Sequence, residues 1–127
     1  MTAYITIDGD DIGDKIATAY YDNNEKQLST INEELNAILA NALTFLKTSG
    51  FEMVFFAADG IVCKGDDEYI SKVAAYVKSM GRGQYTFSAG VGSDLRSAFI
   101  ALKYAKSTGK DRSMYFNDND GFHEVIP

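Results

Sequence analysis

The chain is short of several residues that usually announce a function. Cysteine, histidine and proline each occur once in 127 residues. Cys63 has no partner within the chain, which excludes an internal disulfide. Its apolar setting, Gly60-Ile61-Val62-Cys63, marks it as a small buried hydrophobe. His123 has no Cys or His at metal-ligand spacing, and no Ser-His-Asp pattern accompanies it, so it reads as a surface or edge-strand histidine. The one proline is Pro127, and no linker, low-complexity tract or internal repeat is visible. No apolar run approaches the ~18 residues that would span a bilayer. The opening Thr2-Ala3-Tyr4-Ile5-Thr6-Ile7 reads as a strand and lacks the basic-then-apolar order of an export signal. Together with the lone thiol, this predicts a cytoplasmic protein.

Positive charge is also scarce. Twelve Lys and Arg face 18 Asp and Glu, a net charge of −6. Such a chain is a poor non-specific partner for duplex nucleic acid, where phosphate neutralisation dominates affinity. The few cations are unevenly placed, however. Arg96, Lys103, Lys106, Lys110 and Arg112 form a basic segment with Asp94 and Asp111 near its edges. A local positive patch on an acidic protein suits a small polyanion. What is plentiful is apolar surface: 46% hydrophobic residues, with eight Phe and eight Tyr. That is enough for one packed core, and 1–127 is expected to form a single domain.

The pattern predicts the order β-α-α-β-β-α-β-α-β-β. Residues 3–8 alternate as a strand, and 12–21 form a short helix after a Gly-Asp-Asp turn. A polar loop at 22–26 precedes a long helix over about 28–48, with Leu28, Ile31, Leu35, Ile38, Leu39, Leu43 and Leu46 on one face. Thr30 and Glu33 have capping-box spacing near its start, and Gly50 ends it. Strands at 51–56 and 60–64 flank the tight-turn pair Asp59-Gly60. Asp66 or Asp67 caps a helix carrying Ile70, Val73, Ala74, Val77 and Met80, which Gly81-Arg82-Gly83 breaks. A strand over 84–92 leads to a helix that Ser93 or Asp94 caps and Gly109 stops. Short strands follow at 112–116 and 122–126. The expected fold class is α+β, a mostly antiparallel sheet with helices on one face and the other open to a ligand or second subunit.

Two acidic motifs carry the chemistry. Ile7-Asp8-Gly9-Asp10-Asp11-Ile12-Gly13 ends a strand and opens a helix, and Ala57-Ala58-Asp59-Gly60 forms a hairpin tip. A strand-end carboxylate, Asp8, paired with a hairpin-tip carboxylate, Asp59, and aided by the Gly9 carbonyl, would hold Mg²⁺ or Mn²⁺ against nucleotide phosphates. Amides at the helix start near Gly9 and Gly13 would favour phosphate. Neither a P-loop nor a dinucleotide fingerprint is present, and Ala19 stands where an EF-hand would need its bidentate glutamate. Asn117-Asp118-Asn119-Asp120-Gly121 reads as a solvated turn. Lys103 and Lys106 share a helix face, and Lys110 follows beyond Gly109. Each of these residues also has a plain structural use, as cap, turn or solvated charge. Their combination is what points to a site.

These motifs resemble the palm domains of diguanylate cyclases (GGDEF domains), class III nucleotidyl cyclases and CRISPR polymerases, and most of all the minimal CRISPR polymerase group, mCpol. Asp8-Gly9-Asp10-Asp11-Ile12-Gly13 resembles the CRISPR-palm acidic motif, and Phe87-Ser88-Ala89-Gly90-Val91-Gly92 a GGDEF strand. Ala101-Leu102…Ala105-Lys106…Gly109-Lys110-Asp111-Arg112 is similar to the end of the GGDEF family and is the most specific match. The resemblance implies a ferredoxin-like palm with two-metal nucleotidyltransferase or cyclase activity on NTPs. It places Asp8, Gly9 and Asp59 on the metal, backbone amides of Asp10, Asp11, Ile12 and Gly13 along the phosphates, and Lys106 and Lys110 on the triphosphate. It further implies a homodimer with the active site between protomers, a cyclic di- or oligonucleotide product, and a separate effector, possibly in the membrane, in antiviral signalling.

The chain departs from the pattern in two places. Ala57-Ala58 replaces the glycines of the GGDEF hairpin, and its second acid is missing. Gly13 and Ile16 replace the first-helix Lys and Asn of diguanylate cyclases, with Lys15 shifted in register. That Asn reads guanine, so its loss leaves adenine open and favours ATP. A nucleotide sensor without chemistry and a hydrolase of the GTP cyclohydrolase III type are the alternatives.

Overall fold

A computed structural model describes residues 1–57 and 60–127. In chain order these form β1 (Thr2–Gly9), α1 (Ile12–Tyr21), α2 (Glu25–Thr48), β2 (Glu52–Ala57), β3 (Gly60–Asp66), a 3₁₀ turn (Asp67–Tyr69), α3 (Ile70–Ser79), β4 (Phe87–Gly92), α4 (Leu95–Ser107), β5 (Ser113–Asn117) and β6 (Gly121–Glu124). The expected order and α+β class are what the chain forms. Among the described residues no helix is long and apolar enough to cross a membrane.

The strands make one sheet in the order β2-β3-β1-β4-β5-β6. All neighbours are antiparallel except β4 and β5, which α4 joins as a parallel crossover. The first strand therefore lies near the middle of the sheet, paired on both edges. Its alternation decides what each face carries. Ala3, Ile5 and Ile7 are buried in the main core with Ile61, Cys63, Phe87, Ala89 and Val91. Ile31, Leu35, Leu39 and Leu46 of α2, with Val73 and Val77 of α3 and Ile12 of α1, cover that face. Each such aliphatic side chain contributes about 2–3 kcal/mol by leaving water.

Tyr4, Thr6 and Asp8 point the other way, and that face holds the fourth helix. A Cβ on Gly90 would lie 2.1 Å from the Ala98 carbonyl oxygen and 2.3 Å from the Leu102 amide nitrogen, and one on Gly92 would meet Ser97 at 2.5 Å. Only bare backbone lets α4 lie so close to β4. The open face expected from the sequence is thus confined to the β1–β3 half, since α4 occupies the rest.

Two boundaries differ from expectation by three residues, and the strand ends elsewhere by one or two. The long helix begins at Glu25, because the Asn24 side chain accepts from the Gln27 amide at 2.9 Å and caps it. Thr30 and Glu33 fall inside it, and their spacing is not a cap. The strand expected from residue 84 begins at Phe87, since Gln84 and Tyr85 both turn back to bond the Gly81 carbonyl. Asp66 caps the 3₁₀ turn and Asp94 caps α4, each through its side chain.

Candidate active site

The end of β1, the start of α1, the last turn of α4 and the loop after it meet at one place. Asp8 lies opposite Gly60 of β3 and Ser88 of β4 in the sheet register. A Cβ on Gly60 would come within 3.3 Å of the Asp8 carboxylate. Asp59, the other predicted metal ligand, lies with Ala58 outside the described residues. Gly9 follows Asp8 and is packed so closely that a Cβ there would sit 2.6 Å from Ile12.

Lys106 reaches into this corner from α4. Its ammonium donates to the Gly9 carbonyl at 2.6 Å and lies 3.2 Å from Asp8 and 3.1 Å from Asp10. Asp8 is partly open to solvent, whereas the Asp10 carboxylate is buried. One Asp10 oxygen accepts from Ser88 at 2.8 Å, and the other accepts from Thr86 at 2.8 Å and from the Asp111 amide at 2.9 Å. Burial opposes ionisation of Asp10, but these donors and Lys106 outweigh it and hold the carboxyl below its ordinary range. Asp10 is thus the fastener of the site. Its own amide donates to the Thr86 carbonyl at 2.9 Å, so it is already engaged and does not face a phosphate.

The remaining amides of the acidic turn are differently placed. Asp11 is the N-cap of α1, yet it sits in the left-handed region (φ 57°, ψ 22°) and its side chain makes no capping hydrogen bond. The carboxylate instead pairs with the Lys110 ammonium, whose pKa is raised by that hydrogen bond. Among the described residues, no side chain caps the first turn of α1 at Ile12 and Gly13, at the positive end of the helix dipole. Lys110 (φ 61°) and Asp111 (φ 50°) share the left-handed conformation. Such non-glycine residues hold about 1–3 kcal/mol of strain each and persist where surrounding contacts impose them. Here the buried Asp10 carboxylate holds the Asp111 amide at 2.9 Å, and Lys78 of α3 lies 3.3 Å from the Asp111 carboxylate.

The structure therefore brings together Asp8, Gly9, Asp10, Asp11, Lys106 and Lys110, with Ile12 and Gly13 at the edge. It does not bring in Lys103, whose ammonium lies 5.2 Å from the Phe99 ring centre on the outer side of α4. Thr86, Ser88 and Asp111 were not among the expected site residues. A lone hydroxyl in the apolar Phe87–Gly92 strand was the available signal for Ser88, because a buried hydroxyl needs a partner.

Among the described residues, no three side chains of the metal-ligating types cluster. The fit of a metal can still be tested on the oxygen atoms present. The Gly9 carbonyl and the Asp8 carboxylate converge on a cation in this structure, the Lys106 ammonium. Hard oxygen donors aimed at one positive centre are the set that Mg²⁺ or Mn²⁺ takes. The residues fit such an ion.

A groove of about 580 Å³ runs from Ile12 and Gly13 between α1 and α2. Its walls are mostly apolar, including Ile16, Leu28 and Leu35, while Ser29, Asn32 and Asn36 add polar groups.

A central strand ending in acids, a hairpin beside it and a lysine-bearing helix across the same face define a palm domain of the nucleotidyl cyclase and polymerase kind. No curated protein matches the chain. The chain belongs to the mCpol family, the minimal CRISPR polymerase domain, whose model matches residues 4–116. Its fold is similar to the active GGEEF domain of a diguanylate cyclase from Vibrio cholerae, at 14% identity and a TM-score of 0.66, over 93% of this chain and 84% of that one. It is also similar to a Csm1–Csm4 cassette in complex with cA4, at 18% identity and a TM-score of 0.62, over 88% of this chain and 20% of that one. A bacterial light-regulated adenylyl cyclase matches at 8% identity and a TM-score of 0.62, over 91% of this chain and 42% of that one.

Proposed function

We propose that this protein is a metal-dependent nucleotidyltransferase that links NTPs, ATP favoured, into a cyclic di- or oligonucleotide. The observation that carries the reading is the convergence of the Asp8 carboxylate, the Gly9 carbonyl and Lys106 beside the uncapped start of α1. Oxygen donors for a cation and N–H donors for an anion meet there within one turn of chain. Asp8, Gly9 and Asp59 would hold Mg²⁺ or Mn²⁺. Asp59 joins this set on sequence grounds, and its neighbour Gly60 pairs with Asp8. The bound ion would lower the pKa of the attacking hydroxyl and stabilise charge on the leaving group. The 2′ or 3′ hydroxyl of one nucleotide attacks the α-phosphorus of another; a P–O bond forms, the bond to the β-phosphate oxygen breaks, and pyrophosphate leaves. Lys106 and Lys110 neutralise the β- and γ-phosphates, and the α1 amides orient them.

The groove between α1 and α2 supports adenine. It starts where the phosphates would end, and Ile16 presents hydrocarbon to it. The amides of Asn32 and Asn36 can both donate and accept, as an adenine edge requires.

Joining two nucleotides calls for two bound substrates, and one palm of this size offers a single acidic corner. We therefore assign the active form as a homodimer with the reaction between protomers. Phe55 supports this. It pairs with Val62, hence lies on the Asp8 face, and is 63% exposed. We further propose a role in anti-phage signalling, in the cytoplasm and through a separate effector.

The test is mass spectrometry of products from all four NTPs with Mg²⁺ or Mn²⁺, using Asp8→Ala and Asp59→Ala as controls. A cyclic product lost in both variants is expected. Intact NTPs with binding retained would instead identify a sensor, the reading that Ala57-Ala58 favours. Release of formate or phosphate without linkage would identify a hydrolase.

A further inference from the structure

Lys106 occupies an unusual position for a group expected to hold phosphates. Its ammonium is in contact with the two oxygen donors best suited to a metal, the Gly9 carbonyl at 2.6 Å and the Asp8 carboxylate at 3.2 Å. A divalent ion bound to the same two atoms, ~2.1 Å from each for Mg²⁺, would compete with that ammonium for them. The two cations also repel one another. Lys106 also keeps a third contact, 3.1 Å to the buried Asp10, which three other donors fix in place. Asp10 can therefore serve as a pivot that remains when Lys106 leaves the other two.

We propose that Lys106 is a resident stand-in for the metal, and that the ion binds only as a triphosphate draws the lysine away. This rests on the metal-site reading above and adds a rule of order to it. The free protein holds Asp8 and Gly9 already converged and neutralised, with little affinity for Mg²⁺ or Mn²⁺. Phosphate oxygens offer Lys106 a stronger partner than one backbone carbonyl. As the ammonium turns to them, the Asp8 and Gly9 oxygens become free for the ion. Metal and nucleotide thus bind cooperatively, and neither the empty protein nor stray metal forms a competent site. Lys106 is a phosphate ligand in one state and an internal counter-ion in the other.

The experiment is Mn²⁺ titration of nucleotide-free protein, read by the electron paramagnetic resonance signal of free Mn²⁺, for wild type, Lys106→Met and Lys106→Arg. The same titration is then run with a non-hydrolysable ATP analogue. Lys106→Met retains the hydrocarbon stem and removes the charge. It should bind Mn²⁺ at least ~tenfold more tightly than wild type without nucleotide, because a like charge has gone from the site. It should also lose most of the tightening that the analogue produces in wild type. Lys106→Arg keeps the positive charge, so its Mn²⁺ affinity without nucleotide should stay closer to wild type than to Lys106→Met. Circular dichroism of each variant checks that it is folded; were Lys106→Met unfolded, Lys106→Gln takes its place. Nucleotide-free wild type binding Mn²⁺ as tightly as Lys106→Met would overturn the proposal alone, provided Asp8→Asn abolishes that binding. Mn²⁺ binding by wild type that Asp8→Asn does not weaken, or none with or without the analogue, would overturn the metal-site reading as well.

Discussion

The amide of Asp111 donates to the carboxylate of Asp10 at 2.9 Å, across 101 residues of sequence. This bond ties the strained loop after α4 to the end of the central strand, and so sets where Lys110 stands relative to Asp11. Ser88, Thr86, the Asp111 amide and Lys106 all converge on the Asp10 carboxylate.

Asp10→Ala is therefore expected to be among the most damaging substitutions in the chain. It would leave Ser88, Thr86, the Asp111 amide and Lys106 without their shared acceptor. Removing one member of a buried ion pair typically costs about 3–5 kcal/mol. Urea unfolding should show that loss, with a smaller one for Asp10→Asn. An unchanged midpoint in Asp10→Ala would contradict the assignment.

Asp11→Asn should act in the opposite sense. Asn tolerates the left-handed backbone that Asp11 adopts, so the turn survives. What disappears is the anion that competes with phosphate for Lys110. Exposed pairs are weak, so triphosphate affinity should rise only a few-fold. Calorimetric titration with an ATP analogue checks it, and Lys110→Ala should weaken binding in the same assay.

Gly90→Ala tests the contact between α4 and β4. Its Cβ would meet backbone atoms at 2.1 and 2.3 Å, which cannot rotate aside. The cost should reach the upper end of overpacking, about 3 kcal/mol. Because Lys106 rides on α4, any protein that still folds should also bind nucleotide more weakly. A variant with native stability would mean that α4 shifts freely.

Asp94 predicts a pH effect on the same helix. The Ser97 amide holds its carboxyl below the ordinary range, with a smaller help from Arg96. A lowered folded value contributes stability that is present above the unfolded pKa, near 4, and lost as pH falls through the folded value. Asp94→Ala should thus be less stable than wild type at neutral pH, with the gap closing below about pH 4. Urea midpoints of both proteins from pH 2.5 to 7 provide the comparison.

Much of this was legible along the chain. Element order followed from punctuation: Gly-Asp-Asp before α1, Gly50 after α2, Gly81 to Gly83 after α3 and Gly109 after α4. The acidic turn and the lysines of the last helical turn were visible as residue types. Their roles were less so. Thr30 and Glu33 have capping-box spacing, yet it is Asn24, in the loop before them, that caps α2. Lys103 and Lys106 are three residues apart, yet one lies over Phe99 and the other enters the site. The clamp from Asp10 to Ser88, Thr86 and Asp111 joins residues with no shared spacing, so no local pattern could announce it.

The placement of β1 at the middle of the sheet has a consequence for how the protein is made. Its two neighbours, β3 and β4, and the lysine and loop that complete the acidic corner are all synthesised after it. A ribosome must deliver residues beyond 100 before the corner at Asp10 can close, so Asp8 and Asp10 are made well before their partners. The corner closes only once both ends of the palm have been made.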